Sequence, residues 1–262
     1  MASVNVHRVL ITGTTSGVGR ALLDRYAKSG VMVISVNRRR VAELESRYPS
    51  ARFECVDVRS AEGVAELVRG LAAAGELPDV FILNAGINRV DNDEAFQLAP
   101  YREVIETNLY GVLNFVAPLT QLSAHPVERH VVAISSMVNY AGSPYGLGYT
   151  TSKRALTACF EAWSTMYAGT NLVFQQVMLG PVPTAIYTLA ENLPAWMSSI
   201  KNAFSASPEG TAQAISRFAL TRKKKLFYPL RALPLFRAVQ LGQRLIPGFF
   251  QGRKMLDGKS RR

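Results

Sequence analysis

The 262-residue chain holds two cysteines and three histidines. Two cysteines, Cys55 and Cys159, both in apolar sequence surroundings, exclude a disulfide framework and suit a reducing compartment. His7, His125 and His130 are not spaced like zinc ligands, and they read as surface or turn residues, so no metal is expected. The chain also lacks any run of 18 uncharged apolar residues, which excludes a membrane-spanning helix. Its start, Met1 to Arg8, is short and polar and carries no secretory pattern, so a cytoplasmic location is expected. Acidic residues are nearly absent from one end. Residues 217–262 contain 13 of the 30 Lys and Arg and a single acid, Asp257. The first 216 residues therefore balance near −1, and the formal +11 belongs to the tail.

What is present is an alternation of apolar strands and helical segments from 9 to 179, which predicts a parallel sheet covered on both faces. Val9 to Ile11 reads as a buried strand, and T-G-T-T-S-G-V-G follows at 12–19. Gly13, Gly17 and Gly19 supply a tight turn, a close backbone approach and close helix packing. The helix from about Val18 then aims its free N–H groups at a phosphate, with Thr14, Thr15 and Ser16 adding hydroxyls. The next strand, Val31 to Val36, ends in Asn37, Arg38, Arg39 and Arg40. No acid stands there to accept from two ribose hydroxyls, and the Arg38 guanidinium matches a 2′-phosphate; Arg39 and Arg40 read equally as the opening of a solvated helix. Asp57, in a strand and turn over 53–58, is placed for an adenine amino group. Asn84, Ala85 and Gly86 follow the strand Val80 to Leu83 and are small enough for a dinucleotide to lie against them. A long helix over 100–123 carries Asn108 in an apolar setting.

The chemistry is expected at Tyr149 and Lys153, one helical turn apart on a helix over 149–168. An ammonium beside a phenol favours the phenolate and lowers the tyrosine pKa. Ser136, after the strand Val131 to Ile134, offers a hydroxyl to a carbonyl oxygen. After a last core strand, 172–179, Thr184 can meet a carboxamide.

Together these motifs resemble the short-chain dehydrogenase/reductase family over roughly residues 6–230. The matching elements are T-G-x-x-x-G-x-G at 12–19, Asp57 with Val58, Asn84-Ala85-Gly86, Asn108, Ser136, Tyr149-x-x-x-Lys153, and Gly180 to Thr184 with Val182 between. Leu83 and Leu179 depart from the common pattern. The resemblance implies a Rossmann-like α/β three-layer sandwich with a central parallel sheet, and a homodimer or homotetramer paired through helices 100–123 and 149–168. It implies Tyr149 as acid/base, Lys153 on the nicotinamide ribose, Ser136 on the substrate oxygen, and Asn108 holding a water in a proton relay.

The expected organisation is one dinucleotide-binding catalytic domain, 1–230, with a substrate lid at 184–206 that includes a helix over 188–200. A basic amphipathic tail, 231–262, with a helix over 234–246, completes it. Three loops, 87–94, 137–148 and 184–206, surround the substrate, and their largely apolar side chains favour a lipophilic ketone or secondary alcohol (steroid, retinoid, long-chain acyl or lipid-linked) with NADP(H). The alternatives are a 3-oxoacyl carrier-protein reductase, or a nucleotide-binding, membrane-associated regulator without turnover. The tail reads as lying on an anionic membrane, as capping the pocket, or as packing on a second subunit; nucleic acid is not expected.

Overall fold

The computed structural model describes residues 6–91, 95–122, 126–140, 146–184 and 203–245. The helix expected over 188–200, much of the loop at 137–148 and His125 lie outside them. Seven parallel strands run in the order β3-β2-β1-β4-β5-β6-β7. They are β1 (Arg8–Thr12), β2 (Met32–Asn37), β3 (Arg52–Cys55), β4 (Val80–Leu83), β5 (Arg129–Ser136), β6 (Leu172–Leu179) and β7 (Lys225–Tyr228). The order reverses direction between β1 and β4, and an open α/β sheet binds its ligands in the crevice beyond such a reversal.

Period-two alternation divides the strand residues between two cores. Val9 and Ile11 of β1, with Ile82 and Val132, pack beneath α1 (Gly17–Lys28) and α7 (Pro208–Phe218) through Leu22, Leu23, Ile215 and Phe218. Leu10, Phe81 and Val131 point the other way. There they meet Val68 and Leu71 of α3 (Ala61–Ala73), Phe115 and Leu119 of α5 (Gly111–Gln121), and Leu156 and Phe160 of α6 (Leu147–Met166). A short α2 (Ala42–Arg47) follows β2. The sequence signal for α7 was present and went unread: Ser207 caps the helix by accepting from Gly210 N at 3.0 Å, and Pro208 stands just inside.

The helix expected over 100–123 is not continuous. It is α4 (Leu98–Ile105), a π-helical turn at Glu106–Tyr110 and then α5. A widened turn inside an α-helix commonly marks a functional position, and Asn108 sits in this one. Two further corrections concern single side chains. His130 is not at the surface: it is fully buried in β5, with Gln175 Oε1 and Glu128 Oε1 each 2.9 Å from its ring nitrogens. Cys55, expected in an apolar setting, is exposed, because β3 is an edge strand. The chain ends its described part in a 3₁₀ turn, Leu230–Ala232, and α8 (Leu233–Leu245).

Candidate active site

A cavity of about 590 Å³ opens beyond the carboxyl ends of β1, β2, β4, β5 and β6. The loop after β1 forms its floor. Gly13 and Gly17 adopt left-handed backbone conformations, φ 71° and 57°, which an L side chain rarely takes. A Cβ on Gly17 would come within 2.9 Å of Thr184 Cγ2. No side chain caps α1 and no acid stands in its first turn, so its N-terminal N–H groups, with Thr15, Ser16, Gly17 and Val18 on the wall, face open space. Gly19 and Thr14 serve the loop itself. A Cβ on Gly19 would lie 2.0 Å from Gly13 O, and Thr14 is fully buried with its hydroxyl 2.7 Å from Ser35 Oγ. The Thr14 hydroxyl expected to face a phosphate is thus used inside the fold.

Asn37 occupies the place where an acid would read a ribose diol, and its amide is turned inward. Its Oδ1 accepts from Thr14 N at 2.9 Å, and its Nδ2 donates to Thr14 Oγ1 and Ser35 Oγ. Beside it Arg38, Arg39 and Arg40 line the cavity. Arg40 is forked onto Glu45, whereas Arg38 and Arg39 make no ion pair among the described residues. Asp57 lines the cavity too, but its carboxylate receives Nε and Nη2 of Arg59, and this pairing holds its pKa below the ordinary value. Arg59 was missed from the sequence; its position two residues after Asp57 was the available signal. Val58 packs against the π-helical turn region, where a Cβ on Gly111 would approach its Cγ2 to 2.8 Å.

On the opposite wall, the Asn84 side chain donates to the carbonyls of Thr12 and Gly13, each at 3.1 Å, and so pins the end of β1 to β4. Ala85 and Gly86 leave the wall flat, and a Cβ on Gly13 would touch Ala85 Cα at 2.9 Å. Asn108 is fully buried behind this wall: its Oδ1 accepts from Ile87 N at 2.8 Å, and its Nδ2 donates to Ile87 O and to Ser152 Oγ. Its side chain therefore holds the loop after β4. Gly180, Val182 and Thr184 close the far end.

Tyr149 and Lys153 face the cavity from α6. The Lys153 nitrogen lies 5.7 Å from the centre of the Tyr149 ring and donates to Ile134 O at 2.7 Å. Burial pulls the Lys153 ammonium down to about 8. The depressed tyrosine expected from this pair is not found. Desolvation pushes the Tyr149 phenol up, against a smaller lowering by its hydrogen bond with Ser136. A lysine that is itself desolvated and turned onto a carbonyl does not supply the field the spacing suggested. Ser136 stands just behind the cavity wall, its Oγ accepting from Val138 N at 3.2 Å.

A residue no motif announced fixes the start of α6. That helix has Gly146 before it, no side-chain cap of its own and no acid in its first turn. Buried Asp91, from the loop after β4, accepts from Leu147 N at 2.7 Å and Gly148 N at 2.5 Å. A carboxylate at a helix N-terminus satisfies free N–H groups and meets the positive end of the dipole. Tyr149 sits one residue beyond this clamp.

The geometry accepts a nicotinamide dinucleotide: an uncapped helix end and glycine floor for the diphosphate, a flat Ala85–Gly86 wall, and a lysine beside a phenol at the far end. Comparisons with known proteins agree with this arrangement. Over 204 residues the chain is 28% identical to an uncharacterized oxidoreductase of Myxococcus xanthus, covering 74% of this chain and 79% of that protein. It is 30% identical over 195 residues to a farnesol dehydrogenase of Aedes aegypti, covering 68% and 78%. A short-chain dehydrogenase structure from Streptomyces avermitilis superimposes with a TM-score of 0.76 over 98% of this chain and 99% of that one, at 22% identity. The family model for short chain dehydrogenases matches residues 7–192. The chain belongs to the short-chain dehydrogenase family, and is an oxidoreductase of the kind that uses a nucleotide cofactor on a carbonyl or alcohol group.

Proposed function

We propose that this protein catalyses NADP(H)-dependent interconversion of a lipophilic ketone and its secondary alcohol. The observation that carries the reading is Tyr149, Lys153 and Ser136 gathered at one end of a cavity whose other end presents Arg38, which makes no ion pair among the described residues. A bound nicotinamide supplies or accepts the hydride. Tyr149 gives the substrate oxygen a proton in reduction and takes one back in oxidation, and burial, by raising its pKa, favours the protonated donor form. Ser136 orients the phenol and the substrate oxygen. Lys153, held by Ile134 O, is placed for a ribose hydroxyl. Asn108 and Asp91 keep the loop after β4 and the start of α6 in register, so that proximity and orientation carry much of the rate. Asn37, with its amide spent on Thr14, leaves Arg38 to read a 2′-phosphate.

The lipophilic substrate class rests on the apolar residues of the loops expected around the substrate and on the name of the farnesol dehydrogenase relative; Met137 and Tyr140 from those loops pack under α8 and do not line the cavity. The same reading takes residues 1–230 as the catalytic domain with a lid at 184–206, residues 231–262 as a tail at an anionic membrane, and assembly as a homodimer or homotetramer. Exposed Tyr110 and Met166, on the segments expected to pair, suit that assembly. The test is a panel of ketones, retinoids, steroids and acyl substrates with NADPH, run beside Tyr149→Phe. Turnover lost in the variant is expected. A panel with no turnover above the variant would reject the enzyme reading.

A further inference from the structure

The helix α8 carries an exposed stripe at a defined place relative to the cavity. All seven strands are parallel, so β7 delivers the chain at Tyr228 to the same edge of the sheet as Ser136 and Leu179. From there α8 folds against the turn that follows Ser136. Leu233 and Phe236 pack on Met137 and Met178, and the Arg237 guanidinium lies 4.1 Å from the centre of the Tyr140 ring. The helix thus stands beside the substrate end of the cavity.

Its exposed stripe is Pro234, Arg237, Ala238, Leu241, Arg244 and Leu245, spaced by three and four residues, with the Arg237 guanidinium folded back over Tyr140 and the others facing out. A helix that merely caps a soluble fold turns its polar side chains out. Here Leu241 is 57% and Leu245 71% exposed, with Leu230 at 67% on the preceding turn, whereas Gln240 and Gln243 are partly buried. Exposed leucines with the Arg244 guanidinium between them suit an interface in which leucines enter the acyl boundary and a guanidinium reaches headgroup phosphates. The charge agrees: residues 231–262 contain eight Lys and Arg and one acid. The other basic run, Arg222 to Lys225, lies at the opposite edge of the sheet, and Arg222 and Lys225 there are paired with Glu128 and Glu161. The basic character is therefore polar in the geometric sense. Among the described residues, the pole next to the cavity combines exposed leucines with Arg231, Arg237 and Arg244, which make no ion pair.

We propose that the outward face of α8 docks on an anionic lipid bilayer and turns the substrate end of the cavity toward it. A second copy meeting the same face about a two-fold axis would set arginine against arginine, which disfavours that occupant. The docking follows from the α8 face itself; only its use in delivering a substrate rests on the reductase reading.

The intact protein is mixed with vesicles of phosphatidylcholine alone and with added phosphatidylserine, at low and high salt. The expected result is sedimentation with the anionic vesicles only, weakened by salt. The double variant Leu241→Glu/Leu245→Glu should lose at least about tenfold in partitioning and keep its turnover of a small soluble ketone. For orientation, tryptophan is placed singly at 241 and at 224, and brominated-chain lipids should quench only the former above the wild-type background. No binding by the intact protein, unchanged binding by the double variant, or equal quenching at both positions overturns the proposal. So does a change of oligomeric state in the variant without loss of vesicle binding, or saturable binding to an acidic carrier protein in place of vesicles. Loss of ketone turnover in every form, with vesicle binding intact, would reject the reductase reading and leave the docking face standing.

Discussion

Replacing Lys153 by methionine should make the nucleotide-free protein more stable while abolishing its dehydrogenase activity. The side chain is 5% exposed, and among the described residues no carboxylate pairs with it. Burial moves its pKa from 10.5 to about 8. Below pH 8 both folded and unfolded chains carry the proton, and the folded chain bears the whole desolvation cost, roughly 3 kcal/mol for such a shift. Between pH 8 and 10.5 the unfolded chain holds more protons, so stability rises with pH until the penalty is gone. Methionine has a similar reach and no charge, but it abandons the hydrogen bond to Ile134 O, a loss of about 1 kcal/mol. At pH 7 the variant should therefore gain roughly 2 kcal/mol, worth about 4–8 °C in Tm for a chain of this size. Urea unfolding at pH 7 and 9.5, without nucleotide, reads the effect directly. The advantage of the variant should shrink by roughly 2 kcal/mol at the higher pH. A variant that is no more stable at pH 7, or whose advantage is the same at both pH values, would show that Lys153 is not held as a costly buried charge.

The same lysine predicts how the cofactor binds. An anionic dinucleotide favours the protonated form, so its dissociation constant should rise by up to about tenfold per pH unit above pH 8 and stay flat in Lys153→Met; fluorescence titration across pH 6.5–9.5 checks this. Arg38→Ala should weaken NADPH by about 1.5–3 kcal/mol and leave NADH nearly unchanged in a binding titration; equal losses for both would remove Arg38 from the 2′-phosphate. Asp91→Ala leaves two N–H groups at the start of α6 without their acceptor. It should cost roughly 2 kcal/mol in thermal unfolding and lower kcat more than it raises KM, because Tyr149 loses its register. Asp91→Asn restores one acceptor and should recover only part of either loss.

Much of the candidate site was legible because its residues are constrained one by one by backbone or chemistry. Gly13 and Gly17 need left-handed conformations, and Tyr149 and Lys153 share a helix face whatever surrounds them. The sheet, too, was readable, since β4 is a continuous apolar run buried on both faces and β6 is apolar but for Gln175 and Gln176. What was missed depends on tertiary placement. Asp91 reads as an ordinary loop acid until the fold carries it to the start of α6, over 50 residues away. His130 reads as polar until Gln175 and Glu128 supply its partners. The π-helical turn at Glu106–Tyr110 leaves the apolar period nearly intact, so the expected helix covered it without a break. The Tyr149 pKa needed the depth of Lys153 and the direction of its nitrogen, neither of which spacing contains.

The pairing of α1 with α7 has a consequence for how the chain is born. Leu22, Leu23 and Tyr26 belong to the apolar cluster that Ile215 and Phe218 complete, and Arg25 reaches Ser216 at 2.5 Å. Roughly 180 residues separate the two helices, so at translation rates of about 5–20 residues per second the first waits on the order of 10–40 s for its partner. Throughout that interval the phosphate-loop helix has emerged with one side uncovered, on a chain that is also short of β6 and β7. The N-terminal half then exposes an apolar surface, and the nucleotide site matures only after α7 has left the ribosome.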